Sequence, residues 1–244
     1  MKHSIRDVPA DNFTDQDNLL PDDILITHQA ALRKLVGILG MSLPILLFIS
    51  LFLFSGHRAP LDSISHYYYT RSGTLFIIVV SLLAIFLLVY KGKEPIDLYL
   101  SSVAGIFAIC LLLFPTGNIT DVCCDREKRY AVTVIAGSGL RVWVHYFSAA
   151  LFLGCLAFMS LFLFTKSDKP GPLRTRGKIM RNRVYRTCGI LMMIALAAIA
   201  LNAAGILSDD IFSRYHLTFW METLAVEGFG ISWLVKGETI FRDR

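Results

Sequence analysis

Charge is scarce in this sequence. Asp, Glu, Lys and Arg make up 18% of its 244 residues, against about a quarter in an ordinary soluble domain. What charge there is gathers at the edges of long uncharged runs. Hydrophobic residues reach 55% and the mean hydropathy is +0.56. That distribution excludes a conventional soluble enzyme domain. The five cysteines form no CxxC pair and no metal-knuckle spacing, which removes zinc ribbons and dithiol redox motifs. Cys110, Cys155 and Cys188 lie inside apolar runs and read as small packing residues. Cys123 and Cys124 are adjacent in a polar connection, where they either stay reduced or form a disulfide. The chain also lacks a GxSxG elbow, a P-loop, a dinucleotide fingerprint and an HExxH pair. The net charge of +5 comes without zinc-finger spacing, basic heptads or an aromatic RNA-binding signature, so no nucleic-acid partner is expected. The first apolar run is too long for the core of a cleaved leader and lacks a small-residue cleavage site. No internal repeat points to an inverted-repeat transporter.

What is present is a series of apolar runs. Residues 1–31 are a polar tail with Asp7, Asp11, Asp15, Asp17, Asp22 and Asp23. From Pro21 the pattern predicts a short interfacial helix running into the first span, since carboxylates favour a first turn. Six spans are expected at 35–54, 74–90, 98–114, 142–165, 187–207 and 217–235. The first has 20 uncharged residues, about 30 Å of helix, which matches the hydrocarbon core of a bilayer. Pro44 is a candidate kink. The last run is interrupted by Glu222 and Glu227. The fold class is therefore all-α: a six-helix transmembrane bundle over 32–236, with polar tails at 1–31 and 237–244. The longest connection, 115–141, has room only for a small cap, and its stretch 130–140 suggests a hairpin or lid.

Orientation follows from the basic residues. The connection between the fourth and fifth runs carries Lys166, Lys169, Arg174, Arg176, Lys178, Arg181, Arg183 and Arg186, which predicts a cytoplasmic position. Alternation puts Arg33, Lys34, Lys91, Lys93, Lys236, Arg242 and Arg244 on the same side. Arg58, Arg71, Arg126, Lys128, Arg129, Arg141 and Arg214 fall on the other, about half as many. Both termini are thus expected in the cytoplasm of a multi-pass protein of the cell membrane. Arg174, Arg176, Lys178, Arg181, Arg183 and Arg186, with Ile179, Met180, Val184 and Tyr185 among them, suit anionic lipid head groups or serve only as an orientation signal.

Ionisable groups within spans are costly, so they are the first functional candidates. Glu227 falls mid-span without a basic residue at its depth. It is expected to be neutral or hydrogen-bonded, either as a structural link aided by Gly228 and Gly230 or as a proton-coupled transport site. His145, Asn202 and Glu222 fall at one outer level, within about 3 Å by helical rise. His66, and also His216, lies close enough in sequence to join them. These residues suggest an outward-facing polar pocket for a lipid or small ligand, or a set of mutual hydrogen bonds. His66, His145 and Glu222 are also candidate ligands of a catalytic metal in a membrane-embedded hydrolase. Tyr67, Tyr68 and Tyr69, with Trp143, Trp220 and Trp233, read as an interfacial aromatic belt. Asn12 and Asn118 begin glycosylation-type triplets.

Four segments carry a resemblance: SISHYYYT at 63–70, LFPT at 113–116, RNRVYRTCG at 181–189 and FGISWLVKGE at 229–238. In their order the chain resembles uncharacterised six-span bacterial membrane proteins, distantly like the DRAM/Sfk group. The resemblance spans most of 33–238 and implies a six-helix bundle, without implying a chemistry.

Overall fold

The computed structural model describes residues 21–92, 94–119, 130–167 and 175–237, with side chains from residue 29 onward. Cys123, Cys124, Asn12, Arg174, Lys93, Lys169, Arg242, Arg244 and the first twenty residues lie outside them. The described chain is all-helical. Its elements are α1 (Pro21–Ser55), α2 (Gly73–Val89), α3 (Pro95–Leu113), α4 (Gly139–Phe158), α5 (Arg176–Ala203), α6 (Asp209–Arg214) and α7 (Leu217–Lys236), with a 3-10 helix at Ile64–Tyr69. Helix α4 runs on into a π-helical turn at Met159–Leu163.

Four helical stretches, Gln29–Ser55, Pro95–Leu113, Gly139–Leu163 and Arg176–Ala203, are long and apolar enough to cross a membrane. Helix α2 is apolar but shorter, at 17 residues. In α7 the two glutamates dilute a run of 20 residues. The surface supports the membrane reading. Leu53, Ile85, Val89, Leu113, Phe147, Phe162 and Ile194 point outward, while Ser72, Ser101, Ser148, Ser160, Ser232, Ala104, Ala108, Ala157 and Ala195 are buried between helices. A soluble bundle would reverse that arrangement. In lipid, large apolar residues can face outward at no cost, and close packing favours small residues at the contacts.

Successive long helices pack against one another, and α7 lies between α5 and α1, closing the ring. The α1–α7 contact shows how sequence sets the spacing. A Cβ on Gly230 would stand 2.8 Å from the Gly37 carbonyl oxygen and 2.4 Å from Met41 Cγ. Only glycine lets the two backbones approach that closely. Buried hydroxyls add links: Ser50 Oγ donates to Ser72 Oγ at 2.7 Å, and Ser160 and Ser232 hydroxyls lie 2.7 Å apart.

Several expectations need correction. The helix expected from Pro21 into the first span is not among them: α1 is one helix of 35 residues, continuous through Pro44. At about 52 Å it outreaches the hydrocarbon core. The basic run 176–186 is not a loop but the first turns of α5, started by Thr175, whose hydroxyl accepts from Lys178 N at 3.2 Å. The stretch 130–140 forms no hairpin. Its pairing is a single bridge, Thr70 to Ala131, after which the chain runs without regular structure to α4. Trp233 leaves the aromatic belt altogether. It is fully buried, edge-on to Tyr90 at 4.8 Å and to Phe164 at 5.6 Å. Tyr67 and Tyr69 are also fully buried, while Trp143 and Trp220 are exposed as a belt requires.

Candidate functional site

The two ends of the bundle differ in chemistry. Helix α1 ends at Ser55, where Gly56 takes φ +71 and its N–H bonds the Phe52 carbonyl at 2.7 Å. The left-handed turn sends the chain across the helix ends, and the segment 61–70 settles there. Leu61, Ile64, Tyr67 and Tyr69 anchor it from beneath. Tyr69 donates its hydroxyl to the Thr116 carbonyl, and Tyr67 packs on Phe219. Burial pushes the Tyr67 phenol up to about 12, so it acts as a neutral hydroxyl.

Ser63 caps the 3-10 helix, its hydroxyl accepting from Ser65 N at 3.1 Å. Glu222, from the second turn of α7, completes the cap. Its carboxylate accepts from Ser63 Oγ at 2.9 Å and from Ile64 N at 2.6 Å. A carboxylate at the open start of a helix satisfies donors that have no partner in the helix itself.

His145, in the second turn of α4, meets the same segment from the opposite flank. It is 3% exposed, so the structure sets both ring nitrogens. Nδ1 lies 2.9 Å from the Phe114 carbonyl oxygen, an acceptor only, so Nδ1 carries the proton. Nε2 then has the lone pair, and Ser65 Oγ, at 3.0 Å, is the donor to it. His66 follows directly, partly buried and within electrostatic range of His145. Its backbone N–H donates to the Ser63 carbonyl at 3.2 Å, while its imidazole makes no hydrogen bond to another described residue. Burial lowers its imidazole below the ordinary 6.5, with Asp62 opposing, so His66 is neutral at pH 7.

Of the predicted cluster, then, His145 and Glu222 come together, not by touching but through Ser63, Ile64 and Ser65. Asn202 does not join them. Its amide bonds Asp209 Oδ1 at 2.8 Å and the Leu207 carbonyl, closing the turn from α5 into α6, because α5 ends four residues earlier than the apolar run does. His216 pairs with Asp62 at 2.8 Å. Glu227 stands apart, partly buried and without a hydrogen bond to any described residue. Among the described residues no three His, Cys, Asp or Glu side chains come close enough to hold a metal ion. The proposed ligands fail as a set because both nitrogens of His145 and both oxygens of Glu222 are already engaged. Asn118 is engaged as well: its amide bonds both ways with the Ile135 backbone, at 2.7 and 3.1 Å.

Sequence reasoning missed Ser63 and Ser65. Their signal, two serines two residues apart ahead of an aromatic run, is shared with any helix cap. The Phe114 carbonyl, which orients His145, has no side-chain signature at all.

Comparison of the chain with protein families, with curated proteins and with solved structures returns no match in any of the three.

Proposed function

We propose that this chain is a six-span protein of the cell membrane, with both termini in the cytoplasm, whose outward-facing end binds a lipid head group or a small polar ligand. Helices α2 and α7 supply the two spans beyond the four that are long and apolar enough by themselves. Ala30 near the start of α1 packs on Gly237, so the two termini share one end of the bundle. That end carries Arg33, Lys34, Lys91, Lys166, Lys178 and Lys236, as the positive-inside rule requires of a cytoplasmic face. The basic first turns of α5, at Arg176, Lys178, Arg181, Arg183 and Arg186, are then placed to meet anionic lipid of the inner leaflet. The resemblance to six-span DRAM/Sfk-like proteins agrees with this count and belongs to the same proposal.

One observation carries the reading of the outer end. Helices α4 and α7 each commit an ionisable side chain to the segment Ser63–Ser65, at the end away from the start of α1: His145 to Ser65 and Glu222 to Ser63 and Ile64. Bundles tolerate such groups where function needs them. The transport reading of Glu227 has no hydrogen-bonded partner among the described residues to build on.

The test is a ligand titration in nanodiscs with dihexanoyl phosphatidylglycerol and with glycerol phosphate, read as the thermal midpoint. A ligand that binds only the folded protein raises stability by RT ln(1 + [L]/Kd). A saturable rise in wild type that is lost in Glu222→Gln is expected. No rise with either probe contradicts the proposal.

A further inference from the structure

We propose that Ser65 and His145 form a nucleophile–base pair that cleaves carboxylic esters of lipids at the outer membrane surface, an inference that rests on the outward placement of this end. Three observations support it. First, the hydrogen bond has the polarity that catalysis needs. Because Nδ1–H is committed to the Phe114 carbonyl at 2.9 Å, Nε2 faces the Ser65 hydroxyl at 3.0 Å as an acceptor. That is the geometry of a general base on its nucleophile, with a third group holding the imidazole in orientation and tautomer. Ser63, two residues away, shows the contrast: its hydroxyl faces a carboxylate that already accepts from Ile64 N–H.

Second, Ser65 is partly exposed while His145 is buried. The nucleophile is open to a substrate and the base is shielded from water. Third, the imidazole of the adjacent His66 is neutral and makes no hydrogen bond to a described residue, so its ring N–H is free to receive a developing oxyanion; the His66 backbone N–H is engaged by the Ser63 carbonyl. The surroundings name the substrate class. Leu113, Phe114, whose carbonyl holds His145, and Tyr146, 6.1 Å from the His145 ring, present exposed apolar surface, suited to an acyl chain. Exposed Asp62 and partly buried His66 supply polar groups next to Ser65 in the chain, suited to the ester and its head group.

The step balances without a further cofactor. Ser65 Oγ bonds the ester carbonyl carbon as its proton passes to His145 Nε2. The tetrahedral intermediate collapses, its C–O bond breaks, and the alcohol leaves with that proton. Water, deprotonated by the same nitrogen, then attacks the acyl-Ser65 ester; its C–O bond to Ser65 breaks as His145 returns the proton to Ser65 Oγ, and a carboxylic acid leaves. Glu222 is a positioning residue in this scheme, holding Ser63 and Ile64 so that Ser65 stays over His145.

The full chain in nanodiscs is incubated with an alkyl fluorophosphonate, and the adduct is located by peptide mass spectrometry. A single adduct on Ser65 is expected, absent in Ser65→Ala and formed at least tenfold more slowly in His145→Gln. Monodisperse elution and thermal midpoint establish that each variant is folded. No adduct on folded wild type, or an adduct only elsewhere, overturns the pair. A second measurement separates this from the outer-face reading: Ser65→Cys in a background free of other cysteines, probed on intact cells with a membrane-impermeant maleimide. Labelling from outside without a fluorophosphonate adduct in wild type removes the nucleophile and leaves the outer face standing. Labelling only after permeabilisation removes both.

Discussion

The two ends of this bundle are built in opposite ways. At the end where α1 begins and α7 finishes, large rings fill the interior. Trp233, Tyr90, Phe164, Tyr185 and Phe229 are all buried and meet mostly edge-on. Cations lie over them: Arg33 is 5.5 Å from the Tyr90 ring and Lys236 is 5.0 Å from Phe164. Charges there cap and pair locally: buried Asp97 accepts from Glu94 N at 3.1 Å, and Glu94 pairs with exposed Lys166. At the far end buried Tyr67 and Tyr69 underlie a hydrogen-bonded segment, and Glu222 and His145 reach it from two different helices. Ring packing and local capping explain the first end. The second commits Glu222 and His145 to a short connection, at a desolvation cost that packing would have avoided. Under the proposed function, the contrast separates a closing device from a working surface within one ring of helices.

The sharpest way to break the contrast is Glu222→Leu. It leaves the Ser63 hydroxyl and the Ile64 N–H without their acceptor, at a cost of roughly 1–3 kcal/mol for each buried group. The expected result is a marked fall in thermal midpoint and protease cleavage near residues 57–66. Glu222→Gln, which keeps one acceptor, should lose much less. A Leu variant as stable as wild type would show that the carboxylate does not hold the segment.

Gly230→Val strikes the other end. The added Cβ meets the Gly37 carbonyl, and overpacking of this kind costs about 1–3 kcal/mol. The midpoint should drop while fluorophosphonate labelling of the surviving folded protein stays unchanged. Loss of both together would mean that the two ends are not independent.

A smaller effect follows from His66. Its folded value lies below the ordinary 6.5, so the unfolded chain takes up the proton first. Its contribution is then fully present above pH 6.5 and is lost as pH falls below it. His57 is lowered as well, by burial and by His216, and acts in the same window. His66→Gln should reduce, without abolishing, the fall in midpoint between pH 6.5 and pH 5. An unchanged slope would remove His66 as its source.

The smallest effect belongs to Glu227→Gln. With no hydrogen bond to a described residue to lose, its midpoint should stay within error of wild type. A large loss would give Glu227 a structural partner that the described contacts lack.

How far the sequence anticipates this molecule depends on the kind of residue. The apolar runs, with the helix start signalled at Pro21, place α1 to α5 and α7 to within a few residues, except at the start of α5. There the charges of 176–186 masked a helix that begins eleven residues before the predicted span. Depth counting brought His145 and Glu222 to one level correctly, because helical rise is fixed. It failed for Asn202, since rise says nothing about where a helix ends. Composition misled over Tyr67, Tyr69 and Trp233: aromatics near span ends usually mark the interface, but here they fill the bundle. Ser65 and the Phe114 carbonyl were beyond reach because their meaning depends on long-range geometry alone.

The account turns on which end faces out. Asp62→Cys, beside Ser63, and Thr175→Cys, at the start of α5, can be placed singly in a cysteine-free background and exposed to an impermeant maleimide. Position 62 should label on intact cells, and position 175 only after the membrane is opened. The reverse pattern would place Glu222, His145 and Ser65 in the cytoplasm and contradict the account.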